Sequence, residues 1–350
     1  MSRLLDQRDG VTYAAAGVSI AAGDEAVARI ASRVATTARP GVIGAIGGFG
    51  GLFALDVARY REPVLVASAD GVGKKLEVAR RVGRYDTVGL DLVAMLVDDL
   101  VCVGAEPLFL LDYVALGALD PARLEEVVAG VVEGCRRAGV ALLGGETAEH
   151  GGVMAPDDLD LAGFAVGVVE RGRELGPERV ASGDVLVGLG SPNLRSNGYT
   201  LARRVFEGAD LDGPAWPGAP RSLGEELLAP SVIYAPGVGA VREAVGEGLH
   251  AAAHVTGGGI VGNVARVLPD SLDAVIDMTR FDTPEIFFEI QRRGPVSAQE
   301  MVHVFNCGLG MVLVLAPSAA GPACDAARGA GLDAAVVGEV RRGRGAVVLT

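Results

Sequence analysis

Two adjacent carboxylates, Asp98 and Asp99, interrupt an otherwise apolar stretch, MLVDDLV (95–101). Aspartate is a poor helix former, and a buried charge is costly without a partner. Asp91 lies seven residues earlier, two turns away on the same face of a helix. Asp70 closes the strand-like PVLVASAD and leads into GVGKKL; Glu146 follows the strand-like VALLGG in GGETAEH. A few hard oxygen ligands, completed by water and nucleotide phosphates, suit Mg2+. Asp70, Asp98, Asp99 and Glu146 are therefore the candidate metal ligands. Each has a plainer alternative: a turn-forming Asp70, one solvated member of the Asp98/Asp99 pair, and a Glu146 in the first turn of a helix.

A second set of residues suits anions. In AAAHVTGGGIVGNVARVL (251–268) a strand ends at His254, and Thr256, Gly257 and Gly258 lead into a helix. Main-chain N–H groups in such a turn can hold a phosphate, and His254 can serve in acid–base chemistry. GSPNLRSNGYT (190–200) repeats the logic with Asn197 and Gly198, and places Arg195 in the middle. Arginine does not shuttle protons at neutral pH but binds phosphate bidentately, so Arg195 is expected to hold substrate phosphate. Gly71, Gly73 and Lys75 after Asp70 are candidate nucleotide contacts, as are Gly48 and Gly50 in GGFGG (47–51). GGFGG matches neither a P-loop nor a dinucleotide fingerprint, so a lid and a tight turn both stay open. Cys307, before a Gly-x-Gly, reads as a buried structural thiol.

The elements that must position these residues alternate between strand and helix patterns. Apolar spacing predicts a helix over 86–107 and strands over 63–70, 159–170, 185–189, 249–254, 273–277 and 308–316. The pattern predicts two α/β domains, 1–171 and 172–350, although alternation alone also allows a doubly wound fold. The formal charge of −13 and the absence of a Lys/Arg run exclude a nucleic-acid binder. Apolar runs are strand-sized, so no membrane span is expected. The four cysteines have no disulfide or C-x-x-C spacing, and MSRLLDQRDG has no apolar signal core; both point to the cytoplasm.

Ten ordered stretches carry a family resemblance: YAAAGVSIAAGDEAV, GGFGGLF, YREPVLVASADGVGKKL, YDTVGLDLVAM, DDLVCVGAEPLFLLDY, GGETAEH, SNGY, HVTGGG, RVLPD and FNCGLGM. Over nearly the whole chain the sequence resembles the phosphoribosylformylglycinamidine cyclo-ligase family. The resemblance implies a two-domain α/β (α+β) fold and a homodimer whose N-terminal sheets pair. It implies ATP and Mg2+ as cofactors and a small ribonucleotide as substrate, with Asp70, Asp99 and Glu146 serving Mg-ATP and His254 and Thr256–Gly259 facing the ribonucleotide. Three positions depart from the family pattern: Lys74 replaces threonine, Ala31 a common lysine, and Arg195 the expected histidine.

Overall fold

Aspartate and glycine punctuation cuts the chain into short elements. Asp120 caps a helix that starts with Pro121 and stops at left-handed Gly139. The computed structural model describes residues 20–350; residues 13–19 of the first family stretch lie outside the described residues. The N-terminal body comprises α1 (Ile20–Ala35), the short strands β1 (Val42–Ile43) and β2 (Leu52–Phe53), β3 (Pro63–Gly71), α2 (Lys75–Val82), α3 (Val88–Cys102), β4 (Glu106–Leu116), α4 (Pro121–Ala138), β5 (Ala141–Glu149) and β6 (Leu159–Glu170). The C-terminal body comprises β7 (Val185–Gly190), α5 (Tyr199–Val205), α6 (Leu223–Leu227), α7 (Ala235–Val245), β8 (Leu249–His254), α8 (Gly259–Ala265), β9 (Leu272–Ile276), α9 (Glu285–Arg293), α10 (Ala298–Val304), β10 (Leu309–Leu315), α11 (Ala320–Gly329), β11 (Ala334–Arg342) and β12 (Val347–Leu349).

Alternation allowed a doubly wound parallel sheet; the pairing corrects this. The N-terminal sheet has the order β3-β6-β4-β5, and only β4 and β5, joined by α4, run parallel. The C-terminal sheet, β12-β9-β11-β7-β10-β8, is antiparallel except for β12 beside β9. In both sheets a strand late in sequence inserts between earlier ones, which alternation cannot reveal.

Helix α3 is the axle of the molecule. Thirteen of its residues, Asp91 and Asp98 included, are buried. It packs on the N-terminal sheet and α4 on one side and on α7 and β8 of the C-terminal body on the other. A helix apolar all round belongs in an interior. Gly89 fits against α4 so closely that an added Cβ would lie 2.1 Å from the main chain of Val131. The opposite face of the N-terminal sheet is only partly covered, with Phe53 packed on Phe109, and leaves Leu65, Tyr113 and Phe164 exposed. No helix among the described residues is long and apolar enough to cross a membrane.

Candidate active site

The cleft forms where the C-terminal ends of β3 and β8 meet the outer side of α3. His254, the last residue of β8, points its Nδ1 at Asp99 Oδ1, 2.9 Å away. Its Nε2 lies 2.8 Å from Arg195 Nη2. A guanidinium can only donate, so Nε2 must accept and the imidazole proton sits on Nδ1, directed at Asp99. Asp70, near the end of β3, completes the group: burial raises its carboxyl pKa, the Asp99 charge raises it further, and His254 opposes the shift. Asp70 Oδ1 also accepts from Gly71 N at 2.7 Å. Asp99 itself remains open, with 46% of its side chain exposed.

Asp98 turns the other way. Its side chain is fully buried, and Oδ1 accepts from the main-chain N–H of Tyr234 and Ala235 at 2.8 and 2.9 Å, the start of α7. Oδ2 takes Arg195 Nη2 at 3.0 Å. The expectation that Asp98 holds a metal is therefore corrected: both oxygens are filled by protein donors, and no metal could approach without dismantling them. Burial pushes its carboxyl pKa up, against the opposing charges of Arg195 and His254.

Arg195 is also corrected. It is fully buried, so it cannot hold a substrate phosphate. Its Nη1 donates to Val232 O at 2.8 Å, its guanidinium lies over the Tyr234 ring at 4.6 Å, and only Nε lacks a partner. Its backbone is held at φ 60° while its N–H donates to Asn193 Oδ1 at 2.8 Å. His254 is correspondingly a positioning residue rather than a free proton shuttle, because both ring nitrogens are engaged.

Lys75 is the third correction. The expected nucleotide contact is fully buried, 2.7 Å from Asp91 Oδ2, and donates to Arg195 O at 3.0 Å and Ala229 O at 2.7 Å. Its ammonium thus ties the two bodies together, by an ion pair to one and two hydrogen bonds to the other. Asp91 Oδ1 accepts from the N–H and hydroxyl of Ser231 at 2.9 and 2.6 Å. Burial lowers the Lys75 pKa against the opposing pull of Asp91. Its neighbour Lys74 is exposed, one residue after Gly73, whose φ of 68° suits the turn.

Glu146 does not join Asp70 and Asp99 within one chain. Asp70, Gly163, Asp112 and Gly145 form one row across the N-terminal sheet, so Glu146 lies on the far strand and, by alternation, on the partly covered face. At that edge of the sheet, under α1 and the 45–51 loop, it lines a cavity of about 610 Å3 with Gly48, Gly50 and Asp112. Among the described residues no three His, Cys, Asp or Glu side chains converge as a metal cluster. Asp112 was missed by sequence reasoning; its signal was a lone carboxylate in the apolar run LFLLDYVAL. Burial pushes its pKa up to about 7.

The two glycine turns do meet. Gly257 lies opposite Asn197, its ideal Cβ position 3.9 Å from Asn197 Nδ2. Asn197 Oδ1 is buried and unpartnered. Gly198 is obligatory: at φ 78° an added Cβ would fall 2.2 Å from the Phe305 ring. Thr256 Oγ1 donates to Asn263 Oδ1 at 3.2 Å and thereby braces the second turn, while Gly257 and Gly258 stay exposed. Burial pushes the Cys307 thiol up to about 12, which suits an inert thiol.

The chain also matches known proteins over most of its length. Residues 55–169 match the N-terminal domain, and residues 181–350 the C-terminal domain, described as AIR synthase related protein. A phosphoribosylformylglycinamidine cyclo-ligase of Anaeromyxobacter sp. (strain Fw109-5) is 52% identical, covering 96% of this chain and 97% of its own. Among solved structures, thiamine-monophosphate kinase from Stenotrophomonas maltophilia K279a superposes with a TM-score of 0.67 at 19% identity, covering 92% of this chain and 95% of its own. Hydrogenase maturation protein HypE in complex with ATP gives 0.66 at 18% identity, covering 95% and 92%. At such identity these two likenesses speak for the fold alone. The matched domains and the close relative together place the chain in the AIR synthase related protein family.

Proposed function

We propose that the chain is an ATP-dependent cyclo-ligase of purine biosynthesis. It converts formylglycinamidine ribonucleotide to 5-aminoimidazole ribonucleotide, ADP and phosphate. The formyl oxygen attacks the γ-phosphorus of ATP and ADP leaves. The amidine nitrogen then attacks the activated formyl carbon, the ring closes, and the oxygen departs with phosphate. Phosphorylation converts a poor leaving oxygen into a good one, and positioning supplies much of the remaining rate.

The observation that carries this reading is the pairing of Asp70 with Asp99 beside the Asn197 and Thr256–Gly258 turns. Two carboxylates facing one cleft fit one Mg2+, which needs only one or two from protein. Bound there, Mg2+ would neutralise triphosphate charge. His254 aims Asp99 by donating its Nδ1 proton to it. The exposed N–H groups of Gly257 and Gly258, with the orphaned carbonyl of Asn197 beside them, face the ribonucleotide. Lys74, free at the mouth of the β3 turn, takes the phosphate role expected of Lys75.

Glu146, Gly48 and Gly50 serve the nucleotide from the partly covered face of the N-terminal sheet. Exposure of Leu65, Phe164 and Tyr113 on that face supports a homodimer built by sheet pairing. Arg195 leaves the substrate assignment open to the same ribonucleotide, because it is buried in the domain contact and off the open wall of the cleft. The test is turnover: purified protein with formylglycinamidine ribonucleotide and Mg-ATP should release aminoimidazole ribonucleotide, ADP and phosphate in equal amounts. ATP binding without imidazole product at saturating substrate would overturn the substrate assignment.

A further inference from the structure

A separate cavity of about 900 Å3 opens at the end of the N-terminal sheet opposite Asp70. Its walls come from both bodies: the segment before β3, the start of β4 and the end of β6 on one side, α7 on the other. In a chain of formal charge −13 this cavity is lined by Arg39, Arg59, Arg61, Arg173 and Arg242 against three glutamates. A local excess of guanidinium in an acidic protein needs a reason.

The carboxylates present neutralise it only in part; Arg173 Nε pairs with Glu247 Oε1 at 3.1 Å. Glu106 is shared: Arg39 Nη2 reaches its Oε1 at 3.1 Å, and Arg59 Nη2 reaches its Oε2 at 2.8 Å. The Tyr60 hydroxyl also donates to Glu106, at 3.1 Å. Glu170 is occupied by the main-chain N–H groups of Arg61 and Glu62, each at 2.8 Å. Arg242 is the sharpest case. It is half-buried and donates to the main-chain carbonyls of Gly104 and Arg173, and among the described residues no carboxylate is paired with it. Burial and then the neighbouring Arg173 charge lower its pKa, and the Glu247 charge opposes the shift without forming a pair with it.

We propose that this cavity binds a diphosphate-bearing anion that bridges the two bodies, with Arg242 at its base and Arg59, Arg61 and Arg173 around it. Guanidinium forks match phosphate oxygens bidentately, and several of them around one cavity select for more than a single negative charge. The volume admits either free pyrophosphate or the diphosphate of a nucleotide. The site is separate from the cleft and does not rest on the reaction assigned there.

The test uses the full chain with the cleft saturated by a non-hydrolysable Mg-ATP analogue, in 0.15 M KCl, titrated calorimetrically with pyrophosphate and, in a parallel arm, with ADP. One additional site per chain is expected. Arg242→Gln should weaken it at least tenfold, and Arg61→Gln, on the exposed rim, at least threefold with unchanged turnover when no anion is added. Should Arg242→Gln fail to fold, Arg61→Gln carries the test. Tighter ADP than pyrophosphate assigns the site to a nucleotide, and equal affinity to the diphosphate alone. No additional site, or a site that both substitutions leave unchanged, overturns the proposal.

Discussion

Asp98 and Asp99 are consecutive in sequence and opposite in fate. Asp98 faces the C-terminal body, is fully buried, and accepts from two main-chain amides and a guanidinium. Asp99 faces the cleft, 46% exposed, with one hydrogen bond from an imidazole. The same division runs along the whole of α3 and the turn after β3. Asp91 and Lys75 close inward as a clamp, while Asp70 and Lys74 stay at the mouth. One helix therefore serves two purposes. Its inward carboxylates lock the bodies at a fixed angle, and its outward carboxylate is held at that angle for chemistry.

Separating the two roles by substitution should break this comparison cleanly if it is wrong. The largest expected effect is on the open side. Asp99→Asn should cut turnover by about a thousandfold or more, read by phosphate release, because it removes a carboxylate proposed to hold the Mg2+ that would neutralise the nucleotide phosphates. On the closed side, Asp98→Ala should cost about 3–5 kcal/mol of stability in denaturant unfolding, because it strands Arg195 as a buried, unpaired cation. Lys75→Met should cost somewhat less, about 2–4 kcal/mol, since it strands Asp91 while filling the space with apolar atoms. In the folded fraction its KM for ATP should match wild type, whereas a KM raised tenfold would return Lys75 to the nucleotide.

The smallest effect concerns Asp112. Its folded pKa of about 7 lies above the ordinary carboxylate value, so the folded state binds more protons than the unfolded state between about pH 4 and 7. Stability contributed at this site is therefore lost as pH rises through that window. Asp112→Asn should flatten the decline by about 1–2 kcal/mol, given the residue's partial exposure. A pH profile identical to wild type would contradict the assignment.

Much of this was legible in the sequence. The run 159–170 is β6 to the residue, and the apolar spacing over 86–107 contains α3. Of the carboxylates and glycine turns named as chemistry, Asp70, Asp98, Asp99 and the Asn197 and Thr256–Gly258 turns line or support the cleft, whereas Glu146, Gly48 and Gly50 line a separate cavity. What sequence could not give was direction. Because α3 is buried nearly all round, its periodicity does not separate Asp98 from Asp99. Arg195 meets Asp98 across 97 residues and His254 across 59, so its burial depends on contacts no local pattern encodes. The strand VALLGG continues as β5 through Glu149, which carries Glu146 onto the partly covered face instead of a helix first turn.

The division of labour on α3 is tested most directly by measuring turnover and thermal unfolding together for Asp99→Asn and Asp98→Asn. The account predicts that Asp99→Asn unfolds within about 2 °C of wild type yet loses at least about a thousandfold in kcat, while Asp98→Asn unfolds several degrees lower. Full turnover in Asp99→Asn, or lost turnover at an unchanged unfolding temperature in Asp98→Asn, would contradict it.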